Sequence, residues 1–106
     1  MSSNNTKILA AYPFLADIIR MAEASINPHK IILFGSRARG DHRKTSDVDL
    51  AFFFDSDRGN AWPAFVLDVE EHAPTLLEFD LVDGNHCEEA LQQAIAQEGI
   101  VIYAKS

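Results

Sequence analysis

Residues 30–54 constrain the fold more than any other stretch of the chain. Lys30-Ile31-Ile32-Leu33-Phe34 is a continuous apolar run that stops at Gly35-Ser36. It is too short for a stable helix and reads as a strand buried on both faces. Asp47-Val48-Asp49-Leu50-Ala51-Phe52-Phe53-Phe54 reads as a second strand. The link between them, "GSRARGDHRKTS", is polar and charged. "GSRARG" is read as a turn, up to one helical turn long. Two segments that need burial are thus joined by a segment that resists it, which is the nucleus of a sheet with a charged edge.

The remaining elements extend that nucleus. Leu15, Ile18, Ile19, Ala22 and Ile26 recur at helical spacing and predict a helix over about 13–26. Pro13 suits its first turn, and Asn27-Pro28 ends it, because a residue before proline avoids the α region. Asn60 is read as the cap of a helix that carries Trp62, Phe65, Val66 and Val69 on one face. That stripe is read as core, and Pro63 is tolerable there in the first turn. "LLEFDLV" (76–82) alternates and predicts a third strand. Asn85 with Glu88 resembles a capping box. Cys87, Leu91, Ala94 and Ile95 share one side of the last helix, Gly99 stops it, and "IVIY" (100–103) is a final strand. The expected architecture is α/β of the α+β kind: a small mixed sheet with helices packed on it. The 106 residues are read as one domain, with a catalytic core over about 30–103.

Charge narrows the function classes. A net charge of −7 argues against whole-surface attraction to nucleic acid or anionic membrane, so no direct nucleic-acid binding is expected. The positive charge is concentrated: four of the nine Lys/Arg residues (Arg37, Arg39, Arg43, Lys44) fall within eight positions, enough for a local anion site. Cys87 is the only cysteine, so no intrachain disulfide can form, and it is read as buried packing. The start "MSSNNTKILAAYPF" has no signal-peptide core, and no apolar run approaches the roughly 20 residues that span a bilayer. A cytoplasmic protein is expected.

The chemistry is read from the charged edge. Asp47 and Asp49 are two apart on a strand, so they point the same way, with Cα atoms roughly 6.5–7 Å apart. Val48 and Leu50 point into the core. Neighbouring carboxylates repel, and a hard divalent cation removes that cost. An all-oxygen donor set selects Mg²⁺ or Mn²⁺ over zinc, and Mg²⁺ commonly shares its ligands with substrate phosphates. Gly35 lets the backbone bend and approach a ligand. Backbone N–H groups and the Ser36 hydroxyl can hold phosphate oxygens, and Arg37 and Arg39 are near enough to add charge-assisted hydrogen bonds. Other motifs fail. Gly35 and Gly40 have the spacing of the Walker A glycines, but Asp41-His42 stands where Lys-Ser/Thr is required. The histidines at 29, 42, 72 and 86 form no zinc pattern. His42, Arg43 and Lys44 are read as a solvated loop.

Gly35-Ser36, ten residues, then Asp47-Val48-Asp49 resembles the signature of the DNA polymerase β-like nucleotidyltransferase superfamily. The resemblance runs from about Ile31 to Tyr103 and is most like the minimal members of that superfamily. It implies a third carboxylate on a neighbouring strand. Glu78 and Asp80 both offer one, and Asp80, followed by Leu-Val-Asp, matches the family position better. By the same resemblance Asp47 and Asp49 hold two Mg²⁺ ions (Mn²⁺ an alternative). Asp80 ligates one of them and helps to deprotonate the acceptor hydroxyl. Gly35, Ser36, Arg37 and Arg39 bind the nucleotide. The reaction is in-line attack on the α-phosphate of a nucleoside triphosphate, expected to be ATP, with pyrophosphate leaving.

Larger members of the superfamily carry a further domain that grips the acceptor. The length here implies that the acceptor pocket comes from a homo-oligomer or a separate subunit. Minimal members pair with a helical HEPN-type protein in toxin–antitoxin systems and transfer AMP to it, which gives the leading expectation. Two alternatives stand beside it: transfer to a small hydroxyl compound with a partner completing the pocket, and a non-catalytic module that neutralises its partner by occlusion.

Overall fold

The computed structural model describes residues 6–105; the polar start at 1–5 and Ser106 lie outside them. In chain order the elements are α1 (Thr6–Ala11), α2 (Phe14–Ser25), β1 (Lys30–Phe34), α3 (Ser36–Arg39), β2 (Val48–Phe53), α4 (Ala61–His72), β3 (Phe79–Asp83), α5 (Glu89–Glu98) and β4 (Ile100–Ala104). The strands form one mixed sheet in the order β3-β2-β1-β4. β1 runs antiparallel to both β2 and β4, while β2 and β3 are parallel. A parallel pair needs a crossover, which α4 supplies. This is the α+β architecture the sequence implies.

Alternation along the strands divides the apolar residues between two layers. Ile31, Leu33, Val48, Leu50, Phe52 and Ile102 pack with Leu15, Ile18 and Ala22 of α2 and with Phe65 and Val69 of α4. The Phe52 ring stands edge-on to Trp62 and Phe65, with centroids 5.6 and 5.2 Å away. On the opposite face Ile32, Phe34 and Ala51 pack against Ile95 of α5, with Phe53, Val82, Cys87 and Leu91 around them. Both faces are therefore covered, which is why β1 and β2 read as nearly unbroken apolar runs.

Several local expectations need correction. Asn60 precedes α4 but makes no side-chain cap; its own backbone is already helical. Asn85 and Glu88 form no capping box. Asn85 Oδ1 accepts the Phe54 N–H instead (2.9 Å), and Glu88 is itself the residue before α5. The third strand begins at Phe79, not at residue 76, because Ala73-Pro74-Thr75 is followed by a bend in which Leu76 is fully exposed. The short helix α1 was not foreseen. Its signal is the spacing of Ile8, Leu9 and Tyr12, all packed on the core. Among the described residues no helix is long and apolar enough to cross a membrane.

Candidate functional site

β1 ends at Phe34, whose register partner on β2 is Asp49. The chain must leave the sheet there without colliding with that carboxylate. Gly35 does so at φ 75°, ψ −157°, a conformation open almost only to glycine. A Cβ at this position would run into Asp49 Oδ2. The chain then makes the single turn of α3, in which Ala38 and Arg39 donate N–H bonds to the Gly35 carbonyl (3.1 and 3.0 Å). Gly40, at φ 89°, ends it in the left-handed conformation. The turn expected from "GSRARG" is thus a real helical turn, tied to the start of β2.

The acidic residues gather on the adjoining strands. Asp49 lies in β2, and Asp47 immediately precedes it. Asp80 of β3 is the direct register partner of Asp49 across the parallel pair. Asp47 and Asp80 are exposed, and Asp49 is half-buried. The Asp49 carboxyl is pushed up to about 6, by burial first and then by the charges of Asp80 and Asp47. Glu78 lies just before β3 and is exposed; its backbone carbonyl accepts the Val48 N–H. Among the described residues no three acidic, histidine or cysteine side chains form a ready-made metal cage. The donor set still fits a hard cation. Three carboxylates share one end of the adjoining strands, one of them resists ionisation through burial first and then the charges of the other two, and Mg²⁺ typically takes only one or two carboxylates and fills its shell from water and phosphate.

The two arginines part company. Arg39 is exposed and its NH1 donates to both oxygens of Glu98 (3.1 and 3.0 Å). Its Nε donates to Asp41 (3.1 Å). Arg37 stands differently from the expectation that it binds nucleotide. It is buried, its Nε and NH2 donate to the Ser46 carbonyl, and NH2 also reaches the carbonyls of Arg43 and Lys44 (3.3 and 3.2 Å). Its guanidinium lies over the Tyr12 ring. Arg37 clamps the exposed loop that leads into Asp47, because its own buried guanidinium needs acceptors and the loop carbonyls supply them. No spacing in the sequence distinguishes it from Arg39.

Glu98 is the residue that sequence reasoning missed. It is the last residue of α5, and its Oε1 also accepts the Gly35 N–H (3.1 Å). It lies 63 positions from Gly35, and no local pattern marks it. A cavity of about 450 Å³ lined by Val69, Glu70, Leu76 and Phe79 opens beside the start of β3. It contains none of the three aspartates, which sit on an open edge instead.

A strand, a Gly-Ser turn and three carboxylates at adjoining strand ends make a recognisable frame. A model of the family described as "Polymerase beta, Nucleotidyltransferase" matches residues 16–106. The chain belongs to that family. It is 31% identical over 88 residues to the protein adenylyltransferase MntA of Aphanizomenon flos-aquae (strain 2012/KM1/D3), a match covering 69% of this chain and 55% of that protein. The chain thus spans about half the length of the curated relative it matches. Its fold resembles that of a toxin–antitoxin crystallised with AMP-PNP, at TM-score 0.72 and 24% identity, covering 86% of this chain and 73% of the other. A mutant form of the toxin–antitoxin MntA-HpeT superposes similarly, at TM-score 0.71 and 23% identity, covering 87% and 73%.

Proposed function

We propose that this nucleotidyltransferase-family chain transfers AMP from ATP to a hydroxyl group of a partner protein, and so acts as the antitoxin of a toxin–antitoxin pair. One observation carries the reading: Asp49 and Asp80 are register partners at the sheet edge where Gly35 turns against Asp49. That supports reading the turn as the anion site and the neighbouring carboxylates as the cation site of one centre. Kinship with a protein adenylyltransferase and a fold shared with a toxin–antitoxin crystallised with AMP-PNP support the protein acceptor and the adenine nucleotide. A helical HEPN-type partner and a cytoplasmic setting belong to the same reading, as does a single catalytic domain whose acceptor pocket the partner completes.

In this reading Ser36, the Gly35 amide and Arg39 hold the β- and γ-phosphates. Asp47, Asp49 and Asp80 would hold two Mg²⁺ ions, which when bound neutralise charge on the entering and leaving oxygens. The acceptor oxygen bonds to the α-phosphorus, the bond from that phosphorus to the β-phosphate oxygen breaks, and pyrophosphate leaves. Asp80, exposed at the edge, takes the hydroxyl proton. Rigid strands hold these groups in place, and a transfer site depends on placement within a fraction of an ångström.

The test incubates the purified chain with α-labelled ATP, Mg²⁺ and the product of the adjacent gene. A labelled partner band, absent with Asp47→Asn and absent without Mg²⁺, is the expected result. No labelled protein with any of the four nucleotides would overturn transfer to protein.

A further inference from the structure

Glu98 has reasons not to be where it is. A carboxylate on the last residue of a helix faces the negative end of the helix dipole. Its charge also lies close enough to Asp49 to oppose that group's ionisation. Its side chain is 23% exposed, so water is within reach. Yet it is drawn inward, where one oxygen accepts both the Gly35 N–H and an Arg39 N–H, and the second oxygen accepts from Arg39 as well. A backbone amide in a glycine turn together with an arginine is the donor set that receives a phosphate oxygen.

We propose that Glu98 is an internal stand-in for a phosphate group: its carboxylate fills the Gly35–Arg39 anion site in the free chain, and the polyphosphate of the substrate must displace it. The proposal rests on reading the Gly35-Ser36 turn as the triphosphate site. It adds that the site is self-occupied, so nucleotide binding is a competition. Displacement is cheap. The Arg39 partner is exposed, and exposed ion pairs contribute little. The freed carboxylate regains water and moves away from Asp49. In the free chain the contact serves to hold the turn in its binding geometry and to keep Arg39 aimed at the site. α5 thereby becomes an element whose C-terminal residue reports whether the site is filled.

The probe is inorganic tripolyphosphate with Mg²⁺, titrated calorimetrically into the wild-type chain, Glu98→Gln and Glu98→Ala. Removing the competitor is expected to tighten binding in both variants by about two- to fivefold, the range that a weak, partly exposed charge pair supports. A role limited to shaping the turn gives the opposite sign. Equal or weaker binding in both folded variants overturns the proposal. On the unmodified chain, the Gly35 amide and the Glu98 side-chain carboxyl carbon should both shift as tripolyphosphate saturates the site. A Glu98 carboxyl signal that stays put at saturation also overturns displacement, and this arm does not depend on the variants folding. Binding of neither tripolyphosphate nor ATP by any of the three proteins would instead overturn the nucleotide reading of the turn. Binding by wild type without tightening in the variants overturns the stand-in alone.

Discussion

The backbone of Gly35 lies directly against the carboxylate of Asp49, with no room for a Cβ between them. The turn and the acidic strand are therefore one mechanical unit. Gly35→Ala must both adopt a backbone conformation that side chains avoid and displace Asp49. A destabilisation of about 1–3 kcal/mol is expected from the backbone alone, with further loss from the collision. Denaturant unfolding at neutral pH checks this, and a midpoint equal to wild type would contradict it.

Asp49 gives the chain a pH signature. Its folded carboxyl is pushed up to about 6 from an ordinary value of 3.8, by burial first and then by Asp80 and Asp47. The folded state thus holds a proton that the unfolded state has already released between those values. The stabilising contribution is complete below pH 3.8 and is lost as pH rises through about 6. Asp49→Asn should be more stable than wild type at pH 7.5, by about 1–2 kcal/mol after allowance for partial exposure. The two proteins should converge as pH falls towards 4. A difference that is constant across that range would refute the assignment.

A divalent cation should reverse the repulsion among the three carboxylates. Titrating Mg²⁺ or Mn²⁺ into the wild-type chain is expected to raise its melting midpoint, by up to about 2.7 kcal/mol of stability at a hundredfold excess over the dissociation constant. Asp49→Asn and Asp80→Asn should respond much less. Equal rises in all three proteins would place the binding elsewhere.

Arg37 and Arg39 should fail in different ways. Arg37→Ala removes the donors that tie the carbonyls of Arg43, Lys44 and Ser46 to α3 and should cost about 1–3 kcal/mol of stability. Lysine should not rescue it, because one ammonium cannot reproduce the fork. Arg39→Ala should melt almost where wild type does, since Arg39 itself is exposed and ion pairs of exposed arginines contribute little, while losing affinity for ATP. Parallel melting curves and nucleotide titrations separate the two. The reverse pattern would restore Arg37 to the phosphate site.

Much of this was legible in the chain itself. The run at 30–34, the Gly-Ser turn and the alternation from Asp47 onwards identify two buried strands with carboxylates at one end, because strand periodicity and glycine chemistry act over a few residues. The helix carrying Leu15, Ile18 and Ala22 follows from spacing in the same way. Capping was read less well. Asn60 and Asn85 have the right chemistry for caps, but Asn85 found a better donor in the Phe54 N–H, 31 residues away.

Tertiary structure alone decided the rest. The resemblance puts Asp80 on a neighbouring strand, but its direct pairing with Asp49 arises because α4 brings β3 into parallel register beside β2, a result of helix packing over Phe52. Arg37 and Arg39 are two residues apart in one helical turn, and they point to different sides of it, one under the loop and one to the open edge. Glu98 reaches Gly35 because α5 packs on the sheet face opposite α2 and α4, through Ile95 against Ile32 and Phe34. Local chemistry sets which strands and turns can form. Which distant charges meet at their ends depends on how the helices cover the two faces of the sheet, and that is fixed only when the whole core packs.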